Sequence, residues 1–378
     1  MKETTGPILK ELAALFLKLG IIGFGGPAAH IAMMQQEVVE KRKWLTEQEF
    51  LDLLGATNLI PGPNSTEMAI HIGQEKGGWK GLIIAGACFI FPAVLIVGFL
   101  AWLYKDYGQL PQVQPFIYGI KPAVIAVILG AVFPLAKKSI KSVELAVIGV
   151  LVLVLSLLNI NEIYLMFGAG LLAILVARIR NRQQIKLNGI FPLALLQPTI
   201  PALLSVSNVN LFLIFLKIGA ILYGSGYVLF AFLDTELVAT GFMSRQQLID
   251  AIAVGQFTPG PVFTSVTFIG YQINGFWGAV ISTVGIFLPS FVFVALLNPV
   301  VKKMRKSTLF SLFLDAVNVA SVAIIAAICF IMGKETITDA RTVVIAALSM
   351  AVVFRYRKVN SAFIVIGGSL AGYLLSLI

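Results

Sequence analysis

Apolar runs of roughly membrane-spanning length recur from one end of this chain to the other. A helix needs about 20 apolar residues to cross a hydrocarbon core about 30 Å thick. Such runs lie near 8–29, 80–104, 114–136, 142–158 and 161–178, and again near 207–230, 277–300, 307–332, 341–354 and 360–377, so about ten spans are expected, five per half. Of 378 residues, 58% are hydrophobic and 12% charged, whereas soluble domains carry about 25% charge. Lipid is the solvent such faces require, and the expected class is an all-α polytopic membrane protein. The first run holds Lys10, Glu11 and Lys18 and lacks a small-residue cleavage site, so it reads as a span and not as a signal peptide.

The two halves repeat one another. Phe16, Lys18, Gly20 and Phe24-Gly25 correspond to Phe215, Lys217, Gly219 and Tyr223-Gly224. Asp52 corresponds to Asp250, Pro61-Gly62-Pro63 to Pro259-Gly260-Pro261, Ile72-Gly73 to Ile269-Gly270, Gly81 to Gly278 and Pro92 to Pro289. The offset drifts only from 199 to 197, a register that marks a tandem duplication. The units are expected at 1–190 and 191–378.

Around each Pro-Gly-Pro the pattern changes. Thr46, with Glu49 three residues on, begins a capped helix that stops near Ile60, and a second short segment runs from Asn64 to about Gln74. Neither piece is long enough to cross the bilayer. Two half-helices forming a re-entrant hairpin fit, with the break buried in protein or lining a wet cavity. The second half repeats this from Ser244 to Ile273. Five spans per half is odd, so the second copy is inverted. Basic residues agree: loops 37–45, 75–80, 137–141, 178–206, 301–306 and 355–359 outweigh the other side by about three to one and are expected in the cytoplasm. This asymmetry also accounts for the net charge of +10, with anionic lipid and not nucleic acid as its partner.

Inverted repeats with paired broken helices hold small substrates near the midplane, where half-helix ends converge. After each break comes a helix N-terminus with free N–H groups. Asn64, Ser65, Thr66 and Thr264 add neutral donors there, a set suited to an oxyanion. Lys18 and Lys217 occupy matching places in the first span of each half. They are either cationic anchors for an anion or structural groups that snorkel or pair with a carboxylate. Lys121 has Asn318, not a lysine, as its counterpart. Gly25, Gly26, Gly224 and Ser225 allow close approach of backbone to ligand or to another helix. Glu67, Asp52 and Asp250 are candidates for coupling transport to protons, or for bonding the hairpin itself. Glu37 and Glu236 read as structural caps, and Cys88 and Cys329 as small core residues. No metal-ligand spacing, catalytic set or nucleotide loop is present in the sequence, so no cofactor and no enzymatic activity are expected.

Gly23-Phe24-Gly25-Gly26-Pro27-Ala28-Ala29-His30, the stretch from Glu37 through Trp44 to Phe50, Pro61-Gly62-Pro63-Asn64, Thr258-Pro259-Gly260-Pro261 and Ile286-Phe287-Leu288-Pro289 together resemble the chromate ion transporter family in its long, two-domain form. The resemblance implies efflux of chromate from the cytoplasm, driven by membrane potential or proton gradient, with sulfate as a competing or exchanged substrate. It places the protein in the bacterial inner membrane and leaves a homodimer open. A passive anion channel on the same scaffold, or a carrier of another small anion, is the alternative, and a membrane enzyme a remoter one.

Overall fold

The computed structural model describes residues 5–24, 26–108, 110–180, 207–223, 226–304, 308–356 and 359–377. Among the described residues all regular structure is helical. The first half contributes α1 (Thr5–Ile22), α2 (Gly26–Gln35), α3 (Glu47–Thr57), α4 (Asn64–Tyr107), α5 (Gln114–Ser139), α6 (Val143–Leu157) and α7 (Glu162–Arg180). The second contributes α8 (Asn208–Ile221), α9 (Leu229–Leu233), α10 (Arg245–Phe257), α11 (Ser265–Met304), α12 (Thr308–Thr336), α13 (Ala340–Arg355) and α14 (Ser361–Ser376). Of these, α4, α5, α7, α11 and α12 are long and apolar enough to cross a membrane.

Four of the remaining expected spans are shorter than their apolar runs, whereas α13 (Ala340–Arg355) slightly exceeds the run 341–354. The run 8–29 is interrupted after Ile22, and the run 207–230 after Ile221. Gly23 closes α1 by donating its N–H to Leu19 O. Pro27, which has no N–H, then begins a new helix in its first turn. Side-chain caps at Ser142, Ser207, Asp339 and Asn360 fix the starts of α6, α8, α13 and α14. These helices have 14 to 16 residues, about 21–24 Å at 1.5 Å per residue. Apolar content counts loop residues that the caps exclude.

Neither α4 nor α11 is a straight rod. Gly78 (φ 57, ψ −146) and Gly275 (φ 60, ψ −148) turn the chain through a conformation that only glycine adopts easily, and each long helix folds back on itself. The two arms touch backbone to backbone: a Cβ on Gly73 would strike the Gly81 carbonyl, and one on Gly270 the Gly278 carbonyl. The capped helices before the breaks form as expected, with reciprocal capping boxes of Thr46 with Glu49 and Ser244 with Gln247.

Packing divides the molecule into two layers that cut across the halves. One layer joins α1 to α4, α8 to α11, and α4 to α11. The other joins α5 to α13 and α14, α12 to α6 and α7, and α5 to α12. Each half therefore lends α5 or α12 to the other half's terminal helix pair. In lipid no water is released when helices meet, so close van der Waals contact must hold them. Glycines permit it: Gly119 of α5 lies against the Gly368 and Gly372 backbone of α14, and Gly20 of α1 against the Phe89 carbonyl and Pro92 of α4. Outward faces are apolar, as on α6, where Val143, Val147, Val150 and Val154 are exposed at helical spacing. Such a surface is a liability in water and ordinary in a bilayer.

Candidate functional site

The two hairpin tips meet the two interrupted helices in a reciprocal exchange. Gly62 donates its N–H to Leu222 O at 2.8 Å, just beyond α8, and Gly260 donates its N–H to Gly23 O at 2.8 Å, just beyond α1. Both tip glycines have positive φ, +136° and +90°. The Pro61-Gly62-Pro63 and Pro259-Gly260-Pro261 breaks are buried, so the carbonyls left over at each helix end are satisfied by the other half. His30 reinforces one of them: its Nε2 lies 2.8 Å from Gly23 O and donates to it.

Beyond the tips the two hairpins differ. In the second, Thr264 donates to Pro261 O and Ser265 to Val262 O, each at 2.7 Å. In the first, Ser65, Thr66 and Glu67 are buried, and Thr66 Oγ1 has no hydrogen-bond partner. Glu67 is fully buried, its Oε1 3.5 Å from Ser290 Oγ and its Oε2 without a hydrogen-bond partner among the described residues. Gly62 leaves room for this carboxyl, because a Cβ there would strike both Glu67 and Ser290. One turn along, His71 is buried with neither ring nitrogen partnered among the described residues. Asn64 donates to Asn58 Oδ1 at 2.8 Å across the break.

The lysines of the repeat are engaged elsewhere. Lys18 lies 3.0 Å from Glu37, and Lys217 lies 2.6 Å from Glu236, so each pairs with a carboxylate. Lys41 and Arg42 also hold Glu37. The Lys18 ammonium beside it, with those two cations, draws the Glu37 carboxyl down to about 2. Asp250 is buried between Lys121 at 3.4 Å and the Tyr104 hydroxyl at 2.6 Å, whereas its counterpart Asp52 is exposed on α3. Gly26 (φ +79°) opens α2. Gly25, Gly224 and Ser225 lie outside the described residues.

Two cavities separate the layers at opposite ends of α5. One, of about 280 Å³, is apolar apart from Tyr104, Asp250 and Ser369, and reaches Ile117 and Ile120 near the start of α5. The other, of about 440 Å³, lies at its far end between α3, α4, α5 and α12, and is lined by Asn58, Asn64, Asn318, Lys138, Lys141 and Asp315. Sequence reasoning missed His71, Ser290 and Lys138. The Glu67–His71 spacing of one helical turn is the signal that could have found the first. Nothing local marks the other two.

An all-helical chain with several membrane-capable helices, apolar outer faces and polar groups buried at paired helix breaks is a multi-pass membrane protein of the transporter class. The chromate transporter family model matches it twice, over residues 10–174 and 209–373. The chain belongs to that family. It is 32% identical to a chromate transport protein of Cupriavidus metallidurans over 374 residues, covering 96% of this chain and 92% of that one. A probable chromate transport protein of Synechococcus elongatus is 31% identical, covering 96% and 95%. An uncharacterized transporter of Bacillus subtilis, YwrA, is 26% identical over 160 residues, 41% of this chain and 90% of its own length. No solved structure matches. Family and helices together make it a multi-pass protein of the bacterial cell membrane.

Proposed function

We propose that the protein is a secondary transporter that carries chromate out of the cytoplasm, with sulfate as a competing or exchanged substrate. In this reading the chain is two inverted repeats, 1–190 and 191–378, of about five spans and one re-entrant hairpin each. The reciprocal pairing of each hairpin tip with the other half's broken helix carries the reading. It supports a common midplane point where two half-helix N-termini, with Ser65 and Thr66, offer donors to an anion; the Thr264 hydroxyl, expected to join them, spends its proton on Pro261 O.

Alternating access follows from the layering. The two cavities lie at opposite ends of α5, and each abuts one hairpin. A shift of the hairpin layer against the six-helix layer opens one cavity as the other closes. The interlocking of the halves through α5 and α12 supports movement by layers in this reading, in place of a rocking of one half against the other. Lys18 and Lys217, held by their glutamates, brace the interrupted helices in this account. Glu67 is the coupling group: an uncompensated charge at membrane depth is costly, and a proton removes it when the site empties.

Uptake of labelled chromate and sulfate into proteoliposomes under an imposed pH gradient or membrane potential tests this. Saturable chromate flux that follows the gradient and is inhibited by sulfate is expected. Flux that does not saturate and only dissipates the anion gradient would point to a channel instead, and no flux of either anion would remove the cargo.

A further inference from the structure

We propose that the 440 Å³ cavity is a receiving site for a divalent oxyanion, at the mouth of the path from the cytoplasm to the first hairpin tip, with Lys138 as its principal charge. This rests on the transport reading above. The cavity has the chemistry for such a guest. An oxyanion offers only acceptors, and amide nitrogens and ammonium groups offer donors. Asn64, the first residue of α4, lines the cavity directly after Pro63, so a guest there touches the hairpin tip. Asn64 uses one N–H on Asn58, and Asn58 is turned by its own bond to Leu54 O at 3.0 Å, which leaves one N–H on each amide. Asn318, half-buried on α12, makes no side-chain hydrogen bond among the described residues.

Charge points the same way. Lys141 is matched by Asp315 at 2.7 Å, a bond that links the α5–α6 loop to α12 across the cavity. Lys138 has no carboxylate within ion-pair distance among the described residues. The mouth therefore carries one uncompensated positive charge beside one closed ion pair. Volume fits as well, since a water molecule fills about 30 Å³ and the cavity holds an oxyanion with part of its hydration shell. At the other end of α5, the smaller cavity is lined mostly by apolar side chains, and its Asp250 is paired with Lys121, so it lacks the unmatched cation that Lys138 supplies here.

The test is the concentration dependence of chromate flux from the cytoplasm-equivalent side of proteoliposomes, for wild type, Lys138→Ala, Lys137→Ala and Asp315→Asn. Lys137 is its neighbour in the chain but lines a different cavity, with Val353 and Tyr356. Lys138→Ala is expected to raise KM about tenfold with little change in kcat, as loss of one charge facing a dianion should. Lys137→Ala should leave KM within about twofold, and Asp315→Asn should lower it by removing a competing negative charge. Equal KM values for the Lys138 and Lys137 variants, or a raised KM for Asp315→Asn, would overturn the proposal while leaving transport itself standing. Absence of flux in wild type would instead defeat the transport reading. Size-exclusion profiles of the variants separate lost binding from lost folding.

Discussion

The first and second hairpins share a skeleton and differ in what they carry. Both have a capped helix, a Pro-Gly-Pro break, a tip glycine bonded to the opposite half and a glycine turn that folds the next helix back. In the second, Thr264 and Ser265 are satisfied by neighbouring carbonyls, and the adjoining Asp250 is neutralised by Lys121. In the first, Glu67 and His71 are buried without a salt-bridge partner among the described residues, and the adjoining cavity is polar and basic. The backbone exchange constrains both hairpins alike, because each tip completes the other half's helix end. Side chains are bound by no such reciprocity. In the proposed function, the coupling chemistry accordingly belongs to the first hairpin.

The largest effects should fall on the shared skeleton. Gly62→Ala and Gly260→Ala each force a Cβ into occupied space at positive φ, against Glu67 and Ser290 in one case and Ala93 in the other. Strain and overpacking together should cost about 2–4 kcal/mol. Thermal unfolding in detergent should show comparable losses for both; a tolerant second hairpin would show that the skeleton is not shared energetically. Next comes Asp250→Asn. Breaking a buried pair from one side costs about 3–5 kcal/mol where the other charge stays buried, less here because Lys121 keeps a route to solvent at 16% side-chain exposure. The double variant Lys121→Met/Asp250→Asn should recover much of the loss, and a strictly additive double would contradict the pairing. Asp52→Asn, on the exposed counterpart, should be near neutral.

Smaller effects are expected at the braces. Lys18→Ala should cost no more than about 1 kcal/mol, since the ammonium is half exposed. Lys217→Ala should cost more, its pair being shorter and less exposed. The acid limb of stability should report Glu37. Its carboxyl falls from 4.5 to about 2 on folding, so its contribution is complete above about pH 4.5 and fades as pH drops toward 2. Glu37→Gln should flatten stability in that window and leave the slope near neutrality unchanged; an unaltered acid limb would show that the three cations do not hold this carboxylate as described.

The skeleton was legible because its signals are local. Glycine and proline positions, caps such as Thr46 with Glu49, and the near-constant offset between halves can be read within a few residues or by sliding the chain along itself. The apolar runs located most helices yet overstated several lengths, because hydropathy registers neither the cap at Ser142 nor the break after Ile221. The partner of Lys18 was harder to read, although the spacing of 19 residues to Glu37 recurs from Lys217 to Glu236 and was available. The isolation of Glu67 was not legible. It depends on Lys18 being taken elsewhere and on Ser290, 223 residues away, arriving beside it. The layered packing of α5 on α13 and α14 is similarly long-range and leaves no local mark.

The most direct test of a first hairpin that carries coupling, and a second that does not, is proton movement accompanying chromate flux in proteoliposomes. It compares wild type, Glu67→Gln and the matching Ser265→Ala, with a pH dye inside the vesicles. Wild type and Ser265→Ala should move protons in step with chromate. Glu67→Gln should lose the proton movement and the response of chromate flux to an imposed pH gradient, while still folding. Proton-coupled flux that survives Glu67→Gln unchanged, or disappears with Ser265→Ala alone, would contradict the account.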